Sequence, residues 1–176
     1  MTRRRTVELG FVRWRTVASL TLQVAVLAVL VAAFFVRAPQ VAGLSMEPRI
    51  ASGETVLIST LGFRFRAARR GDIVAFHHDD GTPEIYIKRI IGLPGDRIRI
   101  RNGDVVLDGA VLDEPYVRYR DRRSFPEVTV PPGSVYVLGD NRAVSEDSRF
   151  WGFVADDQVI GKALAGIWPI GSMGAL

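Results

Sequence analysis

The sequence predicts a mainly β, antiparallel catalytic domain that is preceded by one N-terminal transmembrane helix. Two observations support this prediction. Residues 16–36, TVASLTLQVAVLAVLVAAFFV, contain no charged side chain over a length that allows a helix to span the apolar core of a bilayer. From residue 37 onward, short segments alternate apolar and polar residues and are bounded by Gly, Pro, Asp and Asn, a pattern typical of β-strands.

The N-terminal flank of the apolar segment is basic. Residues 1–15 contain five arginines and one acidic residue, Glu8. Because basic flanks stay in the cytoplasm, we predict a cytoplasmic segment at 1–15, a transmembrane anchor at 16–36 and an extracytoplasmic domain at 37–176. A cleaved secretory signal is the alternative, since small residues near the end of the segment suit cleavage. Its apolar region, however, is normally only about 7–15 residues long.

Charge and cysteine content exclude two classes of function. The formal net charge of +4 equals the charge of residues 1–15 alone, so residues 16–176 carry no excess charge. We therefore expect no nucleic-acid partner. The chain contains no cysteine, which excludes disulfides, thiolate catalysis and zinc–thiolate sites.

Several short segments of the extracytoplasmic domain have the pattern of β-strands. The clearest is a hairpin that turns at Asn102-Gly103, because both residues tolerate the positive φ of a tight turn. Residues 109–133 have mixed charge and several prolines, which predicts an irregular excursion. The predicted strands are 54–60, 72–77, 84–91, 97–101, 104–108, 127–130 and 134–138.

Ser45, in the segment GLSMEPRI, is a candidate nucleophile, and a serine nucleophile needs a base. Histidine is the usual base, but His77 and His78 are adjacent at a strand end and would point to opposite faces of the sheet. The sequence HHDD that contains them suggests metal binding only weakly, because no further ligand cluster occurs in the sequence. We interpret both histidines as part of a solvated turn.

Lys88 is the stronger candidate for the base. Lysine is rare in this chain, since Lys88 and Lys162 are the two lysines among 23 basic residues. In the predicted strand Lys88 shares a face with Tyr86 and Ile90. Burial there would lower the pKa of the ammonium toward neutrality and make Lys88 a usable base. An edge-strand lysine that blocks aggregation, or one that extends to solvent, is the alternative.

Residues 138–154, LGDNRAVSEDSRFWGFV, crowd charged and hydroxyl side chains between a predicted strand and an aromatic-rich turn. Arginine–carboxylate pairs fix such loops by bidentate hydrogen bonds, and a serine held in the loop would orient a neutral amine. A charged surface loop without a catalytic role is the alternative. The side chains concerned are Asp140, Arg142, Ser145, Asp147, Ser148 and Arg149.

Together these segments resemble the type I signal peptidase family, whose members are membrane-anchored serine proteases with a Ser–Lys dyad. The resemblance runs in chain order through SMEP at 45–48, RRGDIVAF at 69–76, YIKRIIGLPGD at 86–96 and GDNRAVSEDSRFWGFV at 139–154. It covers most of the domain beyond residue 37, and it implies the antiparallel β catalytic fold of that family.

The resemblance implies a role for each matching residue. Ser45 would be the nucleophile, Lys88 the general base and Ser145 the hydroxyl that positions the lysine amine. The Ser45 amide N–H would be one oxyanion donor, whereas Gly43 occupies a position that supplies a second, side-chain donor in some members. The supporting residues would be Met46, which shapes the site beside Ser45, and the loop residues Asp140, Arg142, Asp147 and Arg149.

The chain departs from the family pattern at three positions. Arg49 stands where a threonine usually follows the proline of the serine motif, and Ala143-Val144 stands where an Asp-Asn pair is common. None of the three belongs to the dyad. The departures therefore leave the implied chemistry intact and bear on substrate positioning and catalytic efficiency.

The implied function is removal of N-terminal signal peptides from translocated preproteins, by cleavage after small residues in Ala-X-Ala sites. The implied scheme uses no cofactor and no metal. It places a single-pass protein in the cell membrane near the secretion translocon, with preprotein signal peptides and the lipid bilayer as partners. Residues 37–44 separate the anchor from Ser45, which keeps the serine within roughly 30 Å of the membrane. Ile85 and Ile87 are candidate pocket residues.

Three other functions fit parts of the pattern. A dedicated Ser–Lys processing peptidase would cut a narrow set of exported proteins, and a substrate panel would distinguish it. A catalytically silent membrane-anchored module would lack the serine or the lysine, and both are present. A self-cleaving regulator of the LexA type is disfavoured by the apolar segment and by the lack of a DNA-binding region.

Overall fold

The computed structural model describes residues 3–61, 68–78, 81–169, 171 and 174–176. The chain divides into two compact units, Met1–Val36 and Arg37–Leu176. The first unit contains one long helix, α1 (Arg3–Phe34), and the second consists mainly of β-strands. Residues 1–2 of the predicted basic segment and residues 79–80 of the HHDD sequence lie outside the described residues.

Helix α1 exposes apolar side chains over its second half. No helix among the described residues combines the length and the hydropathy that a membrane crossing requires. The anchor at 16–36 stays a prediction. The large apolar side chains of α1 that are more than half exposed are Trp14, Val17, Leu20, Leu22, Val24, Val26, Leu27, Val29 and Leu30.

Twelve β-strands follow α1 in the described part of the chain. The strands whose register is defined pair antiparallel, so the predicted mainly antiparallel β fold is confirmed. A short helix (Ser148–Trp151) and a 3-10 turn (Asp156–Gln158) precede the last long strand. The strands are β1 (Val36–Arg37), β2 (Thr55–Ser59), β3 (Ile73–His77), β4 (Ile85–Gly92), β5 (Arg97–Arg101), β6 (Asp104–Leu107), β7 (Ala110–Val111), β8 (Phe125–Thr129), β9 (Ser134–Leu138), β10 (Val154–Ala155), β11 (Val159–Trp168) and β12 (Gly174–Ala175).

The larger sheet has the strand order β1-β2-β11-β3-β4-β9-β10, with β12 paired to β11. Strand β4 is an interior strand, because β3 pairs with Ile85–Arg89 on one side and β9 pairs from Arg89 to Gly92 on the other. Lys88 is only 4% exposed, so the alternatives that it blocks aggregation at a sheet edge or extends to solvent are wrong. The sheet instead holds Lys88 opposite Val74.

The smaller sheet has the order β7-β6-β5-β8. The hairpin predicted at Asn102-Gly103 is confirmed, since both residues have positive φ and β5 pairs with β6 across them. The irregular excursion predicted for residues 109–133 is only partly right, because β7 and β8 at its two ends join this sheet. Both strands are short and largely exposed, so their apolar pattern is weak.

The hydrophobic core explains why β4 is buried on both faces beyond Tyr86. On one side Ile87 packs with Met46 and the buried side chains of β2 and β3. On the other side Ile90 packs with Phe76 and Val137. From Ile87 onward both faces of the strand are covered, which shields the side chains there from water, including the lysine at position 88.

Candidate active site

The Ser45 turn, residues 45–49, is fixed by apolar anchors and by one long-range hydrogen bond. Met46 and Ile50 are buried, and the Ile50 N–H donates to the Met46 carbonyl at 3.0 Å. The Asn141 N–H donates to the Ser45 carbonyl at 2.9 Å. The turn thus presents the serine hydroxyl while its backbone is tied to the loop after β9.

Lys88 reaches this hydroxyl from β4. Its Nζ donates a hydrogen bond to Ser45 Oγ at 2.8 Å, and the lysine is only 4% exposed. Burial lowers the pKa of the Lys88 ammonium from 10.5 to about 8, although the carboxylates of Asp147 and Glu146 oppose the shift. A lysine with such a pKa is in part neutral near physiological pH, and a neutral amine is able to accept the serine proton.

A buried ion pair between Asp147 and Arg149 closes the loop that follows β9. Arg149 donates from Nε to Asp147 Oδ1 at 2.7 Å and from a terminal nitrogen to Oδ2 at 2.9 Å. Asp147 Oδ2 also accepts from the Gly139 N–H at 3.0 Å, and Arg149 donates to the Ser145 carbonyl at 2.9 Å. The pair therefore ties the beginning of the loop to its end.

Asp140 pairs with Arg89, which sequence reasoning missed. Arg89 donates to both carboxylate oxygens of Asp140, at 2.8 Å and 2.6 Å, and to the Gly71 carbonyl at 2.9 Å. Its guanidinium lies 4.1 Å from the centre of the Tyr116 ring. Arg89 directly follows Lys88 on β4. Because neighbouring residues of a strand point to opposite faces, the sequence could have indicated a second charged side chain on the face opposite Lys88.

Arg142 pairs with Glu114, a second residue that sequence reasoning missed. The guanidinium donates to the two oxygens of Glu114 at 3.0 Å and 2.6 Å, and Nε donates to the Gly139 carbonyl at 3.0 Å. The two side chains are 3% and 7% exposed. Arg142 and Asp140 thus belong to different ion pairs, and Glu114 lies in the irregular segment, where no periodic pattern indicates its partner.

Ser145 is buried beside the backbone of the nucleophile, but its hydroxyl makes no hydrogen bond within the residues the structure describes. The hydrogen bond expected between Ser145 and the Lys88 amine is therefore not formed in this structure. A Cβ at Gly139 would collide with both Ser145 Oγ and the Ser45 carbonyl oxygen. Glycine at position 139 is thus what allows the loop to approach Ser45 so closely.

A cleft of about 420 Å³ opens in front of the dyad, and we call it the substrate cleft. Ser45, Met46 and Lys88 line it, as the sequence analysis expected of Met46. Its walls come from residues 39–42 and 83–87, including the predicted pocket residues Ile85 and Ile87. Gly43 does not line the cleft; its φ is +104°, and a Cβ there would contact nothing within 4 Å.

The two histidines lie apart from the dyad. His77 is exposed, and its Nδ1 is 3.2 Å from the Glu84 carbonyl oxygen. His78 is half-buried, since its ring centroid lies 4.4 Å from that of Trp151, so the predicted solvated turn is only partly right for this residue. No cluster of three His, Cys, Asp or Glu side chains that suits a metal ion occurs among the described residues, which exclude residues 79–80.

Comparison with known proteins identifies the family. The family model described as "Signal peptidase, peptidase S26" matches residues 14–168. The chain belongs to this family. The resemblance predicted from the serine, lysine and GDN segments is therefore confirmed.

Several relatives named signal peptidase I match most of this chain. "Probable signal peptidase I-2" from Synechocystis sp. is 34% identical over 93% of this chain and 77% of its own length. "Signal peptidase I" from Bacillus caldolyticus is 41% identical over 73% of this chain and 78% of its own length. The crystal structure of a signal peptidase I from Enterococcus faecalis is 32% identical and covers 55% of this chain and 97% of that chain, with a TM-score of 0.47.

The three departures from the signal peptidase pattern lie at the surface. The side chains of Ala143 and Val144 are exposed on the loop after β9, although the next residue, Ser145, is buried. Arg49 is exposed at the end of the Ser45 turn. None of the three lines the substrate cleft.

Proposed function

We propose that this chain is a serine endopeptidase that removes N-terminal signal peptides from translocated preproteins. The observation that carries the proposal is the 2.8 Å hydrogen bond between Lys88 Nζ and Ser45 Oγ, made by a buried lysine. Membership of the signal peptidase family, and relatives named signal peptidase I, supply the substrate class.

Acylation begins with the neutral form of Lys88. The amine accepts the Ser45 proton as Oγ attacks the carbonyl carbon of the scissile bond. The Ser45 N–H donates to the oxyanion of the tetrahedral intermediate. When the C–N bond breaks, the Lys88 ammonium returns a proton to the leaving amine, and the mature protein departs with a new N-terminus. The signal peptide stays bound to Ser45 as an ester.

Deacylation uses the same base. Lys88 accepts a proton from a water molecule as its oxygen attacks the ester carbonyl, and Ser45 Oγ regains a proton when the ester bond breaks. We assign Ser145 the role of positioning the amine during this cycle, since its hydroxyl is buried close to the Ser45 carbonyl and has no hydrogen-bond partner among the described residues. Asp147 and Arg149 hold that loop, while Asp140 and Arg142 fix its first half.

The substrate cleft favours small side chains. Val41, Ala42, Ile85 and Ile87 supply apolar walls, and the segments at residues 39–42 and 83–87 flank the cleft. In an extended substrate, residues one and three positions before the scissile bond point the same way. Both would enter this apolar cleft, which fits cleavage at Ala-X-Ala sites.

Helix α1 supplies the membrane anchor in this proposal. The uncharged run at 16–36 and the exposed valines and leucines of α1 support an apolar environment, and the arginines of residues 1–15 favour a cytoplasmic N-terminus. The domain at 37–176 is then extracytoplasmic, near the translocon from which preproteins emerge.

The test is cleavage of a preprotein with an Ala-X-Ala site by the full chain in detergent, for the wild type and for Ser45→Ala and Lys88→Ala. Both variants are expected to lose about 10³-fold or more of kcat, because each removes one member of the dyad. Lys162→Ala is the matched control, since this lysine pairs with Asp72 outside the dyad. Activity of Lys88→Ala near the wild-type rate would refute the assigned base. Wild-type cleavage of only a few preproteins in a broad panel would favour the dedicated processing peptidase.

A further inference from the structure

The lining of the substrate cleft contains one carboxylate, that of Glu84. Among the described lining residues the ionisable side chains are those of Glu84, Tyr86 and Lys88. Because the proposed mechanism starts from the neutral amine of Lys88, the Glu84 carboxylate gives the active form of the cleft a net negative charge. The lining residues fall into the segments 39–42, 45–46 and 83–88.

The Glu84 carboxylate is available to a substrate. Its side chain is exposed, and within the part of the chain that the structure describes no ion pair or hydrogen bond engages the carboxylate. The backbone of the residue is held in place, since His77 Nδ1 lies 3.2 Å from the Glu84 carbonyl oxygen and His77 is paired with Ile85. The carboxylate therefore projects from a fixed point of the cleft wall.

The edge of β4 that leads to Glu84 is open. Strand β3 pairs with Ile85–Arg89 on one side, whereas β9 pairs on the other side only from Arg89 onward. No described strand lies beside Ile85–Lys88 on that side, so their backbone groups are able to pair with an extended substrate. The cleft follows this edge from Ser45 and Lys88, which are joined by their hydrogen bond, to Glu84.

We propose that Glu84 selects signal peptides that have a basic side chain at the fifth residue before the scissile bond. This inference rests on the proposed function, which places the scissile bond at Ser45 and the signal-peptide part of the substrate in the cleft. The residue before the bond then lies beside Lys88. Residues of an extended chain advance about 3.3 Å each, so the four residues from Lys88 to Glu84 span about 13 Å and align Glu84 with the fifth substrate residue.

Lysine or arginine suits this position. The first, third and fifth residues before the bond point the same way in an extended chain, so the fifth side chain enters the cleft with the two small ones. Its ammonium or guanidinium donates charge-assisted hydrogen bonds to the Glu84 carboxylate. Its methylene groups cover apolar surface that Pro83 and Ile85 provide. An acidic side chain at the same position meets a like charge and is disfavoured.

The experiment uses the full chain in neutral detergent and peptides that share one Ala-X-Ala site but have Lys, Gln or Glu as the fifth residue before the scissile bond. At low salt we expect kcat/KM for the Lys peptide to exceed that for the Gln peptide about threefold, as for an exposed ion pair, and the Glu peptide to be cut most slowly. Glu84→Gln should make the three values equal, and Glu84→Lys should reverse their order. High salt should weaken the wild-type preference.

Glu127→Gln is the matched control, because Glu127 is an exposed glutamate of β8 that does not line the cleft. Its Lys/Gln ratio should equal that of the wild type. Equal wild-type cleavage of the three peptides, an unchanged ratio in Glu84→Gln, or the wild-type order in Glu84→Lys would overturn this inference alone. Failure of the wild type on every peptide would instead refute the proposed function.

Discussion

At the scale of single residues, the proposed mechanism makes activity depend on the protonation of the buried amine of Lys88. Burial lowers its pKa to about 8, and the neutral amine is the active form. We therefore expect kcat/KM to rise roughly tenfold between pH 7 and pH 9 and then to level off. The measurement is a pH profile of peptide cleavage by the full chain in detergent.

Glu146 offers a control for this pH dependence. Its exposed carboxylate favours the Lys88 ammonium and so raises the pKa of Lys88. Glu146→Gln should move the rising limb of the profile to slightly lower pH without changing the plateau. A limb that lies below pH 6.5 in the wild type, or that moves upward in Glu146→Gln, would contradict Lys88 as the titrating base.

Gly139 is expected to be intolerant of any side chain. The methyl group of Gly139→Ala would overlap the Ser45 carbonyl oxygen and the Ser145 hydroxyl, so the loop would have to move away from the nucleophile. We expect kcat to fall at least about 100-fold, because a displacement of about 1 Å has such an effect on catalysis. Gly171→Ala is the control, since its Cβ would meet nothing within 4 Å. A kcat of Gly139→Ala equal to that of the wild type would show that catalysis does not need the close approach of the loop to Ser45.

At the scale of structural elements, the loop after β9 depends on the buried pair of Arg142 and Glu114. Glu114→Gln leaves the Arg142 guanidinium buried without a counter-charge, which destabilises a protein by about 3 kcal/mol. We expect the melting temperature in detergent to fall by roughly 6–12 °C. Asp104→Asn, which breaks the exposed pair with Arg120, should change the free energy of unfolding by less than about 1 kcal/mol. Equal changes in melting temperature in the two variants would mean that breaking the buried Arg142–Glu114 pair costs no more stability than breaking the exposed one.

The sequence pattern predicted the strands that alternate cleanly and missed those that do not. The hairpin of β5 and β6 was predicted because isoleucines and arginines alternate along β5. The central strand β11 was not, because VIGKALAGIW contains small residues in place of an alternation. Gly161 is required there, since a Cβ would collide with the Ser59 carbonyl. Small residues are needed in β11 because neighbouring backbones approach it closely. Sequence periodicity does not reveal such an approach.

Sequence analysis identified those residues of the candidate site that belong to short motifs. Ser45 and Lys88 were identified from their segments, and the structure brings Nζ and Oγ within hydrogen-bond distance. The partners of the supporting charges were not predictable. Asp140 and Arg142 pair with Arg89 and Glu114, because β4 and the irregular segment converge on the loop only in the folded state. Charge alone does not indicate which opposite charge a side chain will meet.

At the scale of the whole molecule, the proposed topology makes the two ends of the chain differ in their accessibility to a protease added outside the cell. Added protease should digest the domain at 37–176 in intact spheroplasts and leave an epitope attached before residue 1 protected, because the basic flank retains the N-terminus inside. Permeabilised cells, in which both parts are digested, provide the control. An epitope that is digested in intact cells would contradict the cytoplasmic N-terminus, and release of the domain into the medium would indicate cleavage of the apolar segment.

The hydrogen bond from the Asn141 N–H to the Ser45 carbonyl has a consequence for the timing of activity during biosynthesis. Ser45 emerges early, its base Lys88 follows 43 residues later, and the loop that clamps the serine comes near the end of the chain. Such non-local contacts form only when most of the chain has folded. A newly made molecule is therefore expected to be inert until β9 and its loop are in place. Completion of the fold would then be the activation step, and a partly folded chain would not cut neighbouring proteins.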